Sequence, residues 1–208
     1  MNITPVFLCG IIVTPQKQIF NVSLWQIESK SIVYPESWVY AMDYTIRALR
    51  EDEYPLLREF LYEAIFIPEG VRAPSRRILD TPELRVYIED FGQGEHDIAL
   101  AAEMEGKIIG AVWVRVMKDY GHVDDQTPSF AISLVKEYRG RGIGTEMMRK
   151  MLKILKERGY EQASLAVQKA NYAVSMYYRV GFEVVDENEE EYIMVKRLVE
   201  RTNMDLSK

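Results

Sequence analysis

The feature that most limits how this chain can fold is a single junction. There the apolar run Ser129–Val135 passes through Tyr138-Arg139-Gly140-Arg141-Gly142-Ile143-Gly144 into an amphipathic helix. A strand that hands over to a helix within a few residues needs backbone conformations that side chains resist, and three alternate glycines supply them. Behind the glycines, Ile143, Met147, Met151, Ile154 and Leu155 recur at helical spacing, and Gly159 follows where the helix would stop. The unpaired N–H groups of such a helix start, with the positive end of its dipole, suit an anion such as phosphate or diphosphate. Arg139 and Arg141 add positive charge beside it.

The other elements read outward from this junction. Tyr44–Leu49 is a short strand, and Glu51–Phe66 a helix with Pro55 in its first turn and Leu57, Phe60, Leu61, Ala64 and Ile65 on one face. Pro68, Gly70 and Pro74 interrupt the chain, and Pro82–Phe91 reads as a second helix with Thr81 as its N-cap. Ile98–Met104 and Ile108–Met117 form a hairpin across Glu105-Gly106-Lys107, and Asp119–Pro128 is a polar loop. Ala163–Gln168 is a strand, Asn171–Arg179 a short helix, and Phe182–Val185 pairs with Tyr192–Leu198 around the acidic stretch Asp186–Glu191, which reads as an exposed turn. The order β, α, α, β, β, β, α, β, α, β, β describes a mixed α/β fold rather than a uniform βαβ alternation.

A chain of 208 residues suits one large domain, or one domain with an appendage. Hydrophobic residues at 48% against 28% charged are the composition of a globular core. Residues 1–41 differ from the rest, with Lys17, Glu28, Lys30 and Glu36 as their only charges. They read as an appendage, either a strand or hairpin of Val6–Val13 and Ile19–Trp25 or a poorly ordered segment, and Met42 is an alternative start. Residues 42–198 form the main domain and 199–208 a tail. With 26 Lys and Arg against 32 Asp and Glu, the net charge of −6 argues against a nucleic-acid binder. Cys9 alone, with His96 and His122, gives no metal-ligand set, and Val6–Val13 is too short to span a membrane. The expected location is the cytoplasm.

Two phosphate signatures fail at the junction. No Gly-Lys-Ser or Gly-Lys-Thr occurs, and the sixth position counted from Gly140 is Thr145 rather than glycine. A third, Arg-x-x-Gly-x-Gly, fits Arg139-Gly140-Arg141-Gly142-Ile143-Gly144 without a gap. With the preceding Ile132-Ser133-Leu134, this resembles the coenzyme A signature of the GNAT (GCN5-related) N-acetyltransferase superfamily. A second stretch, Asn171-Tyr172-Ala173-Val174-Ser175-Met176-Tyr177-Tyr178-Arg179-Val180-Gly181-Phe182, is similar to the later helix of that family, with Arg179 where Lys is commoner.

The resemblance implies the GNAT fold: a mixed, mostly antiparallel sheet flanked by helices and splayed between its fourth and fifth strands, with acetyl-CoA as co-substrate. Its pantetheine arm would pair with the backbone of Ile132, Ser133 and Leu134, and a main-chain N–H near Leu134 would polarise the thioester. Arg139, Gly140, Arg141, Gly142, Ile143, Gly144 and Thr145 would surround the diphosphate. Asn171 would bond the arm, although it stands six residues before Tyr177 where the family often has seven. Tyr177 matches the family's general acid, a phenol still protonated at neutral pH; Tyr178 is its rival, one residue on. The general base stays open among Glu103, Asp119, His122, Asp124, Asp125, Glu137 and a chain of waters. The reading is an N-acetyltransferase that acts on a primary amine by direct attack, with a small-molecule acceptor and, as a family expectation, a homodimer. The alternatives are a protein N-terminal or lysine acetyltransferase and a non-catalytic acyl-CoA binding module. An RNA-binding Arg-Gly tract is discounted because Arg139–Gly144 is single and joined to a helix.

Overall fold

The computed structural model describes residues 43–199. The expected appendage at 1–41, its strands Val6–Val13 and Ile19–Trp25, and the tail after residue 199 lie outside the described residues.

Among the described residues, one seven-stranded sheet organises the fold. In chain order its strands are β1 (Tyr44–Ala48), β2 (Ile98–Met104), β3 (Lys107–Arg115), β4 (Ser129–Leu134), β5 (Gln162–Gln168), β6 (Glu183–Glu187) and β7 (Glu191–Arg197). Across the sheet they run β1-β2-β3-β4-β5-β7-β6. Every neighbouring pair is antiparallel except β4 and β5, which are parallel. The expected hairpin joins β2 to β3 through Glu105 and Gly106, both at positive φ.

Among the described residues the four α-helices are α1 (Leu57–Ala64), α2 (Pro82–Arg85), α3 (Ile143–Glu157) and α4 (Val174–Val180). They divide between the two faces of the sheet as the side chains of the strands dictate. In β4, Phe130, Ile132 and Leu134 enter one core with α3 and α4, while Ala131 belongs to a second core with α1 and α2. The large residues therefore point to the α3 face, and Ser129, Ala131 and Ser133 leave the other face thin. That thinness lets α1 come close, and the buried Ser133 Oγ donates 2.7 Å to the carbonyl of Phe60 at its heart. Ile143, Met147, Met151 and Leu155 of α3 are fully buried on the opposite side. Each such side chain contributes about 1.5–3 kcal/mol by leaving water.

Two helices are shorter than their sequence patterns. Residues 51–56 form a 3-10 turn, and α1 begins only at Leu57, because Pro55 gives up a backbone donor at the point where α-helical bonding would start. The segment expected as a helix to Phe91 is helical only over Pro82–Arg85 and continues as turns, with Thr81 making no side-chain cap. Its apolar residues Leu84, Tyr87 and Phe91 are nevertheless buried, so tertiary packing takes the place of helical bonding. The acidic stretch also departs from expectation: β6 runs on to Glu187, and Glu191 opens β7 as a buried residue rather than an exposed turn. No helix among the described residues is long and apolar enough to cross a membrane.

Candidate active site

β4 and β5 touch at one register pair only, Ser129 opposite Ser164, reinforced by Ser164 N donating 3.0 Å to the carbonyl of Pro128. Beyond it the two strands part. β4 remains fully paired with β3 on its other side, from Ser129 with Arg115 to Leu134 with Gly110. The backbone of residues 130–134 thus carries an edge that β5 does not cover. Val135 N donates 2.8 Å to Ile109 O on β3. Since N–H directions alternate along a strand, the N–H groups of Leu134 and Ile132 point the other way, into the gap.

The mouth of this gap is the glycine turn. Gly140 and Gly142 sit at φ of 74° and 84°, and Gly142 is the residue that caps α3, with no side chain closing the helix start. A Cβ built on Gly142 would meet nothing within 4 Å, so conformation rather than crowding demands glycine there. A cleft of about 210 Å³ opens beside it. Leu134, Gly140, Gly142, Gly144 and Thr145 form one wall, and Tyr172, Ala173, Ser175, Met176 and Arg179 of the α4 segment form the other. Arg179 Nη1 donates 3.2 Å to Ser175 Oγ, which holds its guanidinium along that wall.

The candidate residues divide under this geometry. Ile132, Ser133, Leu134 and the glycine turn meet at the gap and its mouth. Arg141 and Gly142 are exposed there, whereas Ile143 turns its side chain into the core. Arg139 is 8% exposed and binds inward: Nε donates 2.7 Å to Leu134 O, and Nη2 is 2.8 Å from Glu63 Oε2. Its charge fastens the end of β4 to the end of α1. Asn171 is buried, with Oδ1 accepting 2.9 Å from Ala173 N and so ordering the first turn before α4. Tyr177 is 0% exposed, edge-on to Phe182 with ring centroids 6.0 Å apart, while its neighbour Tyr178 is 50% exposed.

Among the carboxylates considered as bases, Glu103 lies on β2, its Oε2 2.6 Å from Arg47 Nε, on the far side of β3 from the gap. Asp124 is held below the usual carboxylate range by the Thr127 hydroxyl and lies with Gln162 at the beginning of β5, away from the glycine turn. His122 Nδ1 is 3.0 Å from Met117 O, and Asp125 Oδ1 is 3.7 Å from its Nε2. Asp119 is at the closed end of the gap. Its Oδ2 accepts from the hydroxyls of Tyr87 and Ser129, both at 2.6 Å, and burial pushes its carboxyl up.

Sequence reasoning did not find the α4 wall or Glu191. The first had a signal in Tyr172, Met176 and Arg179, which repeat at helical spacing and share one face. The second had none, because its burial follows from strand pairing.

The sequence matches the acetyltransferase (GNAT) family over residues 43–182. An acetyltransferase of Pectobacterium atrosepticum is 34% identical over 143 residues, 68% of this chain and 89% of that protein. N-acetyltransferase 8 of Rattus norvegicus is 30% identical over 103 residues, 49% of this chain and 45% of that protein, so this chain spans less than half of that relative's length. The PaiA N-acetyltransferase of Thermoplasma acidophilum, solved in complex with coenzyme A, shares the fold at a TM-score of 0.57 and 23% identity, covering 75% of this chain and 99% of that one. With its parted parallel strands and glycine-opened helix, the chain belongs to the acetyltransferase (GNAT) family.

Proposed function

We propose that the protein transfers the acetyl group of acetyl-CoA to the nitrogen of a primary amine, by direct attack while both are bound, and that the acceptor is a small molecule. The observation that carries this reading is the uncovered edge of β4 leading to the glycine turn. An extended arm can add to that edge as a strand would, and a diphosphate suits the donors and dipole at the start of α3. When bound, acetyl-CoA supplies an activated acyl thioester.

The remaining roles belong to the chain. The N–H groups of Ile132 and Leu134 are donors aimed into the gap, where growing negative charge on a carbonyl oxygen is stabilised. Arg139 holds Leu134 in that orientation by bonding its carbonyl. Ser175 and Arg179 extend the polar wall of the mouth toward phosphate oxygens, and Asn171 keeps the start of α4 against it. Tyr177 is the proton donor for the departing thiolate, and its burial keeps that proton away from bulk water. A second reading, an acyl-CoA binding module without turnover, is favoured by one feature: Met176, not Tyr177, faces the cleft.

Calorimetry with acetyl-CoA, followed by thiol release across a panel of amines, tests the proposal. Binding with amine-dependent thiol release supports transfer. Binding without release from any amine supports the second reading, and no binding at low salt overturns both.

A further inference from the structure

The face of the sheet opposite α3 holds buried polar atoms that the fold leaves unmatched. Among the described residues, three buried side-chain oxygens lack a hydrogen-bond partner: Asp119 Oδ1, Ser164 Oγ and Glu191 Oε1. Two of the three stand at the closed end of the gap, and the third, Glu191, lies across β5 from it. Ser164 forms the closed end with Ser129. Asp119 bonds Ser129. Glu191 pairs with Gln168, at the far end of β5.

Register fixes the height of Glu191. Cross-strand partners share a face, so Glu191, Gln168 and Ser164 stand on the side away from Leu165, Val167 and Met194, which enter the α3 core. Counting four residues up each parallel strand from Ser129 and Ser164 reaches Ser133 and Gln168. Glu191 is therefore level with the part of β4 whose N–H groups enter the gap, one strand spacing beyond β5, about 5 Å. The loop from β3 crosses below it: a Cβ on Gly121 would come within 2.9 Å of Ala166 N. The next residue back, Tyr120, feels the charges of both Glu83 and Glu191. Glu191 is 2% exposed, and Asn188 gives its carboxylate a side-chain hydrogen bond.

We propose that Glu191 receives the ammonium group of the acceptor and removes its proton, which makes cationic primary amines the acceptor class. This rests on the acetyl-transfer reading above. The step balances: one N–H proton passes to a Glu191 oxygen, and the freed lone pair forms the C–N bond as the C–S bond breaks. The sulfur leaves with the electron pair and takes a proton from Tyr177, and the second N–H proton, lost from the acylated nitrogen as the amide forms, returns the phenolate to the phenol. Asp119 is a weaker candidate for the same step, because two hydroxyls occupy its Oδ2 and it lies at the closed end, below the N–H donors. The surrounding charge points the same way. Glu83, Asp119, Glu190 and Glu191 repel a carboxylate beside the reacting nitrogen, so diamines and plain amines are preferred to amino acids.

The test compares the full chain with Glu191→Gln and Asp119→Asn, using butylamine, 1,4-diaminobutane and 4-aminobutanoate as acceptors. The expected result for Glu191→Gln is a fall of about 10²–10⁴-fold in amine-dependent kcat/KM. Its acetyl-CoA affinity stays within twofold. Calorimetry of 1,4-diaminobutane into the coenzyme A complex gives a second readout, with binding expected in the parent protein and at least tenfold weaker in the variant. Glutamine keeps the shape of the side chain, and circular dichroism confirms that the variant is folded. Full turnover and full diamine binding in Glu191→Gln overturn the assignment, and a loss confined to Asp119→Asn moves it to Asp119. Fastest turnover of 4-aminobutanoate overturns the acceptor class alone. A parent protein that binds no acetyl-CoA overturns the transfer reading instead, while 1,4-diaminobutane titrated into the free parent protein and the free Glu191→Gln variant still decides whether Glu191 binds ammonium.

Discussion

In the proposed reaction two side chains carry most of the chemistry, and each answers to its burial. The Glu191 carboxyl is pushed up from 4.5 to about 7 by loss of water, with Glu190 adding to the rise and the Asn188 hydrogen bond opposing it. Tyr120, on the loop after β3, lies within reach of the charges of both Glu191 and Glu83 of α2, whereas Lys169 is turned to Glu187 and the ring of Tyr192. Between the two pKa values the folded state holds a proton that the unfolded chain has released, so stability falls as pH rises through this window. Thermal melts of the parent and Glu191→Gln should converge near pH 5, and the parent should become the less stable by pH 8, by at most about 3 kcal/mol. Parallel melting curves across that range would count against the buried charge. Tyr177 makes a different demand. Tyr177→Phe removes only the phenol oxygen, and general acids contribute about 10²–10⁴-fold. The variant should lose turnover on that scale and keep its acetyl-CoA affinity, and equal rates would exclude the phenol from the reaction.

At the level of elements, the glycine turn and the first residues of α3 act as one piece. Gly142 holds the left-handed conformation that lets an extended chain enter the helix with its N–H groups bare. Gly142→Ala adds a Cβ that meets no neighbour, so its cost is conformational, about 1–2 kcal/mol. The expected outcome is a lower melting temperature together with acetyl-CoA affinity reduced by tenfold or more, read by calorimetry. This piece was legible in the sequence because a turn, its glycines and the following helix are contiguous, and helical spacing is a local property. Arg139 was legible only in part. Its place in the motif suggested an anion contact, but the direction of its guanidinium depends on Glu63, 76 residues away, and on the carbonyl of Leu134.

For the whole molecule, the parted strands stand between two differently furnished faces of the sheet. α3 and α4 bring the glycine turn, Arg179 and Tyr177 from one side. From the other come α2, the loop after β3 and the start of β7, with Glu83, Asp119, Tyr120 and Glu191. Gly121 is the close approach that lets the loop rest on β5, since a Cβ there would stand 2.8 Å from Ser129 Oγ and 2.9 Å from Ala166 N. Gly121→Ala should lift the loop at a cost of about 1–3 kcal/mol. It should lower amine-dependent turnover at least tenfold and leave acetyl-CoA binding intact, which separate binding and rate measurements can distinguish. The chain's sequence alone determined the mixed α/β order, the alternation of large and small residues in β4 and the glycine-opened helix, because every element involved is written in a local run of consecutive residues. Only the tertiary structure decided that Glu191, in an acidic stretch that reads as solvent-facing, is buried level with the N–H donors of β4. Its neighbours are set by the register of β5 against β7 and by a loop some 70 residues earlier, and long-range pairing of that kind leaves no periodic trace in the residues themselves.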